Sequence, residues 1–482
     1  MSIPAGQQEA ATLLSRLTGD AAPVETHISA VFVGPDRVFK LKKAVALGFL
    51  DFTRLEDRER YCRRELALNA PAAPDLYRAV HPLTRSPDGT LRLGGNGAAE
   101  EWAVEMAPLP PGDFLDAVAA RGALGPALQD ALADAVAAQH ASLPPVAGWD
   151  ANGALRDVIT GAAAAAHEAG LPPARSDAWA AMALARLDAL APALAARAEA
   201  GFVRRCHGDL HLGNLVLWRG RPVPFDALEF DEALATVDTG YDLAFLLADL
   251  DLNVGRPAAN RVLNRYVARC DDAGLVVGLP LWLSLRSLIR AHVLQRVGRD
   301  GLPWLAAAEA ALRPPPPRVV AVGGLPGSGK SFWARRWAPG LGAAPGALVL
   351  RSDEIRKRQH GVAPEVRLPA KAYSAAASEA AYAALFAGAE AAARADHCVI
   401  ADAAFLEPAQ RAGIAAAAAR AGVPFQGIWL EAPMPLLRER IAARRGDASD
   451  ADLAVLEQAA RLDPGPLDWR RLDVTAAMPN EI

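Results

Sequence analysis

The chain has 482 residues, 52% of them hydrophobic and 22% charged, with a formal net charge of −4. That length predicts two or three domains of ordinary size, and the mild acidity gives no support for a general nucleic-acid coat or for adhesion to an anionic membrane surface. The four cysteines (Cys62, Cys206, Cys270, Cys398) lie far apart without a C-x-x-C pair, which argues against a zinc or disulfide framework and fits a reducing cytoplasm.

The N-terminus, "MSIPAGQQEAATLLSRL", lacks a basic segment followed by an apolar one, so no secretory signal is expected. No run of about 18 uninterrupted apolar residues predicts a membrane span. Residues 24–106 read as a strand-rich small lobe, with "THISAVFVG", "DRVFKLKKA" and "EEWAVEMAPL" bracketing the charged helix "TRLEDRERYCRRELALN". Period-two alternation puts Lys40 and Lys42 on one strand face, and Glu65 sits on the helix that follows. Residues 107–313 are mainly helical, and their alanine runs are helix filler. Two short strands, around "NLVLW" and "PVPFDAL", interrupt them.

Just before those strands stands "HGDLHLGN", residues 207–214. Alternation of His207, Asp209 and His211 would suit a zinc site, but no further His/Cys cluster supplies an obvious fourth ligand. The same letters meet the demands of phosphoryl transfer. Asp209 can take the proton of an attacking hydroxyl, Asn214 can hold a metal, and the strand–turn–strand that follows delivers Asp226 as a second metal ligand.

"RPPPP", Arg313 to Pro317, cannot continue a helix or join a strand ladder, so residues 314–317 form a stiff linker. From Arg318 to the end, "RVVAVGG", "ALVLRS", "HCVIAD" and "FQGIWLE" alternate with helical segments, which predicts a parallel sheet. "GLPGSGKS" matches G-x-x-x-x-G-K-[ST] in full. Gly324, Gly327, Ser328 and Gly329 let the backbone wrap a phosphate, Lys330 reaches the β/γ-phosphates and Ser331 can hold Mg²⁺. At the ends of the next two strands, Asp353 is a candidate general base or, with Ser352 as cap, a helix N-terminal residue stabilised by the dipole; Arg356 is a candidate ligand for an anionic substrate group, and Asp402 a candidate organiser of Mg²⁺. Arg440 and Arg444 read as one helical turn apart, with Arg438 and Arg445 nearby. They suit a lid over ATP or a solvated, salt-bridged face.

Two resemblances follow from these motifs. Residues 24–312, through "VFKLKK", "EMAPL", H-G-D-x-H-x-x-N and "TGYDLAFLLADLD", resemble the aminoglycoside phosphotransferase and choline kinase-like family. This implies a protein-kinase-like fold with Asp209 as catalytic base, Asn214 and Asp226 holding Mg²⁺, and Lys40 rather than Lys42 on the α/β-phosphates, paired with Glu65. It also gives Asp242 a structural role beneath the site, and His207 and His211 roles within the loop. The chain departs from the wider kinase pattern in having only Gly34, and no glycine-rich loop, between its first strands, which argues against a protein substrate. Residues 318–482, through "GLPGSGKS", "SDEIRK", "IADAAF" and the arginine helix, resemble the P-loop kinases that include gluconate kinase, chloramphenicol phosphotransferase, zeta-type toxins and polynucleotide kinase.

The expected fold class is therefore an α+β protein-kinase-like domain (small sheet lobe plus helical lobe, residues 1–313) followed by an α/β P-loop domain with a parallel sheet (318–482). The expected activity is transfer from ATP, with Mg²⁺, to a hydroxyl of a small molecule of sugar or aminocyclitol type. The alternatives are a nucleotide or nucleic-acid-end kinase and a regulatory ATP-binding protein with one degenerate domain. The acceptor side of the first domain is expected within residues 240–310, where Arg286, Arg290, His292 and Arg296 suit either an acceptor pocket or a solvated helix face.

Overall fold

A computed structural model describes residues 2–47, 50–444, 446–476, 478–479 and 482. Its packing divides the chain into two compact units: residues 1–124, 142–149 and 203–242, and residues 125–141, 150–202 and 243–482.

The first unit begins with α1 (Gln8–Thr18) and continues through β1 (Val24–Glu25), β2 (Ser29–Val33), β3 (Val38–Lys42), α2 (Leu55–Asn69), β4 (Tyr77–Arg85), β5 (Leu91–Leu93) and β6 (Ala99–Met106). The strands form one antiparallel sheet in the order β1-β2-β3-β6-β4-β5. Alternation in β3 sends Phe39 and Leu41 into a core with Leu13 and Leu14 of α1. Lys40 and Lys42 take the opposite face, toward α2. β4 is absent from the strands read in the sequence. Its "YRAVHPLTR" carries Pro82 in mid-strand, and two register irregularities break its alternation against β6. Farther along, β7 (Leu215–Trp218) and β8 (Arg221–Pro224) form a tight hairpin. Arg219 and Gly220 turn it at φ of 52° and 78°, and both positive values match the twist of a two-residue hairpin.

The helices of the second unit include α3 (Pro126–Ser142), α4 (Ala151–Glu168), α5 (Pro173–Glu199), α6 (Thr239–Asn253, whose residues 239–242 belong to the first unit), α7 (Arg256–Cys270), α8 (Leu279–Arg296) and α9 (Leu302–Ala311). By length and composition α5 is apolar enough to cross a membrane. Here its apolar stripe, Trp179, Ala183, Leu187 and Leu194, is buried, and Trp179 Nε1 donates to Ser284 Oγ of α8 at 2.7 Å.

The same unit contains β9 (Val319–Gly324), α10 (Lys330–Trp337), β10 (Leu348–Arg351), α11 (Ser352–Gln359), α12 (Ala375–Arg394), β11 (Val399–Asp402), α13 (Pro408–Ala421), β12 (Phe425–Glu431), α14 (Met434–Ala443), α15 (Leu453–Ala460) and β13 (Arg470–Asp473). Its sheet is parallel throughout, in the order β10-β11-β9-β12-β13. β10 is thus an edge strand, and α7 covers that edge. Val349 N–H donates to Asn264 Oδ1 at 2.6 Å, and the Ala347 carbonyl accepts from Asn260 and Asn264 at 3.0 and 3.2 Å. The fold class expected from the sequence, a sheet lobe and helical lobe followed by a parallel α/β P-loop domain, is the one observed.

Candidate active sites

In the first unit, β3 and α2 bring Lys40, Lys42 and Glu65 together. Glu65 bridges both lysines, accepting from Lys40 Nζ at 2.8 Å and from Lys42 Nζ at 2.7 Å. Lys42 is fully buried and also pairs with Glu229, whereas Lys40 keeps 12% of its side chain exposed and reaches Asp226 Oδ1 at 2.5 Å. Burial opposes the charge of each lysine, but Asp226 with Glu65, and Glu229 with Glu65, outweigh it and hold both ammonium groups above their ordinary range. Burial likewise opposes the Glu65 carboxylate, and the two lysines overcome it and hold its pKa at about 2. Of the two, Lys40 is the lysine able to meet a ligand, and Lys42 is enclosed. Glu229 was missed in the sequence, although two lysines facing one buried helix require a second carboxylate.

The 207–214 loop is held from below. The buried Asp242 carboxylate accepts Gly208 N–H at 2.8 Å and His207 N–H at 3.3 Å. His207 Nε2 bonds the Phe225 carbonyl at 2.9 Å, and its Nδ1 accepts Asp209 N–H at 3.3 Å. Both ring nitrogens are therefore occupied and burial keeps the ring below its ordinary pKa, which removes His207 as a zinc ligand. His211 Nδ1 accepts Gly213 N–H at 3.0 Å and shapes the same turn. The result presents Asp209, 44% exposed, with Asn214 Nδ2 donating to its carboxylate at 3.0 Å. Beyond the hairpin, Asp226 adopts φ 59°, and its N–H donates to Tyr77 Oη at 3.0 Å, which turns its carboxylate toward Lys40. The Asn214 amide oxygen and the Asp226 carboxylate are hard oxygen donors of the kind Mg²⁺ prefers.

In the P-loop domain, Gly324 has φ 138°, and a Cβ there would lie 2.5 Å from the Leu430 carbonyl, so only glycine fits. Lys330 Nζ is held by the Gly324 and Leu325 carbonyls at 2.9 and 3.0 Å, and burial lowers its pKa. Ser331 Oγ donates to Asp402 Oδ2 at 2.5 Å, and Arg351 Nε reaches the same oxygen at 3.2 Å. A cavity of about 940 Å³ is lined by Gly327, Gly329, Lys330, Ser331, Asp353, Arg356, Asp402, Arg440 and Arg444. The structure thus brings most of the sequence-chosen P-loop residues to one space. Gly324 and Ser328 lie behind its lining, and the Ser328 hydroxyl is buried without a hydrogen-bond partner. Burial raises the Asp353 pKa, although Arg351 counters it. Arg356 stacks over Tyr373 and donates to the Ala372 carbonyl at 2.9 Å. Ser331 and Asp402 offer oxygen donors that fit Mg²⁺.

Several expectations need correction. Arg440 and Arg444 do not share a helix face, because α14 ends at Ala443 and Arg444 is extended, with φ −63° and ψ 133°. Arg440 reaches the Gly327 carbonyl at 3.5 Å and Arg444 the Ala451 carbonyl at 3.4 Å. Arg438 pairs with Glu457, and Arg445 lies outside the described residues. Ser352 does not cap α11, whose N-cap is Arg351. The α8 cations do not converge: Arg286 stacks on Phe245, Arg290 on Trp304, and Arg296 pairs with Glu168.

Residues 319–464 match the family model described as an AAA domain. A protein of Mycobacterium tuberculosis (strain ATCC 25618 / H37Rv), itself uncharacterized, is 28% identical over 484 residues, covering 94% of this chain and 93% of its own. Among solved structures, a choline/ethanolamine kinase family protein from Mesorhizobium loti is 14% identical and aligns over 64% of this chain and 94% of its own, with a TM-score of 0.37. A sugar kinase from Janibacter sp. HTCC2649 is 22% identical and aligns over 34% of this chain and 88% of its own, with a TM-score of 0.24. The family match thus covers residues 319–464, the stretch that carries the 324–331 loop.

Proposed function

We propose that the chain is an ATP-dependent phosphotransferase with two nucleotide sites, acting on a hydroxyl of a small molecule of sugar or aminocyclitol type. The observation that carries this reading is the grouping in the first unit, where Asp209 is fixed by Asn214 while Lys40, Glu65 and Asp226 form one ion-pair network. Lys40 would bind the α/β-phosphates, with Glu65 fixing the direction of its ammonium group. Asp209, braced and open to solvent, would accept the hydroxyl proton as the oxygen attacks the γ-phosphorus. In the second site, the loop at 324–331 would wrap the phosphates, Lys330 would leave its carbonyls for them, and Asp353 would play the part of Asp209. Mg²⁺, when bound at Asn214 and Asp226 or at Ser331 and Asp402, would neutralise charge on the transferred group.

The test is phosphate transfer from γ-labelled ATP across a panel of sugars, aminoglycosides, nucleosides and oligonucleotides, comparing wild type with Asp209→Asn and Lys330→Ala. Transfer that survives unchanged in both variants would reject the assignment. Labelling confined to oligonucleotides, with salt-sensitive binding, would favour a nucleic-acid kinase instead.

A further inference from the structure

Between α14 and α15 the chain passes through "GDASDAD", residues 446–452. A cation from the β10–α11 side of the cavity takes each of its three carboxylates. Asp447 pairs with Arg351 at 2.7 Å, Asp450 with Lys357 at 2.7 Å and Asp452 with Arg367 at 3.2 Å. Asp450 also accepts Leu368 N–H at 2.9 Å and Tyr373 Oη–H at 2.5 Å. Lys357 is buried, so pulling Asp450 away would strand its charge out of water, whereas Arg351 would keep Glu354 and Asp402. The segment is a strap pinned at both ends.

Ser449 sits between the two most firmly pinned aspartates. It lines the same cavity as Lys330, Ser331 and Asp353, and its side chain lies beside the Asp353 carboxylate. On the reading of the second site given above, Asp353 faces the hydroxyl to be phosphorylated. The hydroxyl it meets in this structure belongs to the chain itself, and the strap's ion pairs oppose its withdrawal.

We propose that Ser449 is an internal phosphoryl acceptor of the P-loop site. Ser449 Oγ attacks the γ-phosphorus of a nucleoside triphosphate held by the 324–331 loop, and the Oγ–P bond forms as the bond from that phosphorus to the β,γ-bridging oxygen breaks. The hydroxyl proton passes to Asp353, and the nucleoside diphosphate leaves with the bond's electron pair. The product is a phosphoserine carrying about −1.5 to −2 charge in a cavity also lined by Arg440 and Arg444.

The experiment incubates the full chain with γ-labelled ATP and Mg²⁺ without an added acceptor, locates the label by peptide mass spectrometry and counts bound nucleotide. Label is expected on Ser449, lost in Ser449→Ala, regained on the new hydroxyl in Ser449→Thr, retained in Asp209→Asn and formed about a hundredfold more slowly in Asp353→Asn. Two nucleotides per chain falling to one in Lys330→Ala, with no label on Ser449 in wild type, would overturn the inference while leaving the second site standing. No change in nucleotide count in Lys330→Ala would remove the second site and the inference together.

Discussion

The side-chain amide of Asn214 donates to both the main-chain carbonyl and the carboxylate of Asp209, at 2.9 and 3.0 Å. One residue therefore fixes both the loop and the group the loop displays. Asp209→Asn should keep the fold, because the side chain is 44% exposed, yet lower transfer at the first site about 10²–10⁴-fold. Initial rates with labelled ATP, read beside thermal unfolding, test this; an unchanged rate would refute it. Asn214→Ala should in addition raise the Mg²⁺ concentration needed for half-maximal rate.

The two lysines of β3 should separate function from stability. Lys42→Ala leaves Glu65 and Glu229 facing each other in a buried setting, at a cost of about 3–5 kcal/mol. Lys40→Ala retains the Lys42–Glu65 pair and should cost less while weakening nucleotide binding. Urea unfolding and nucleotide titration of both variants check the split, and equal destabilisation would contradict it.

His397 gives a pH prediction with a defined sign. It is buried, and burial lowers its pKa from 6.5 to about 4. The unfolded chain takes the proton first, so the folded state is most favoured above pH 6.5 and loses stability as pH falls toward 4. This residue's share of that loss is about 3 kcal/mol, or about 1.4 kcal/mol per pH unit. Urea midpoints between pH 7 and 4.5 should fall less steeply in His397→Leu. A parallel slope would disprove the contribution.

Gly327 has φ 85°, and an added Cβ would lie 2.8 Å from the Leu437 carbonyl. Gly327→Ala must therefore strain the loop or shift α14, with an expected loss of nucleotide affinity at the second site of about tenfold or more. Gly340→Ala meets nothing within 4 Å and serves as the control. Calorimetric titration with an ATP analogue distinguishes them.

Local pattern was legible wherever one face or one loop decided the matter. Period-two alternation placed Lys40 and Lys42 together, and "GLPGSGKS" fell between a strand and a helix as its chemistry requires. What escaped the reading were partners joined only by the fold. Glu229 lies 187 positions from Lys42, and nothing local in "FDALEF" marks it as that lysine's counter-charge. β4 escaped because Pro82 and two irregularities blur its alternation. The ion pairs of "DASDAD" escaped as well, since its aspartates find their partners only when Arg351, Lys357 and Arg367 arrive from a segment some 85 to 96 residues earlier.

The two asparagines of α7 that satisfy the backbone of β10 have an effect on how copies of the chain meet one another. An open edge strand with free N–H and C=O groups is a template onto which a second molecule can add its own strand, the first step of aggregation. Asn260 and Asn264 occupy those groups at Ala347 and Val349 without extending the sheet. A polypeptide cut at the proline linker would release that edge, so the helices preceding the P-loop domain also keep it from recruiting its own kind during synthesis and folding.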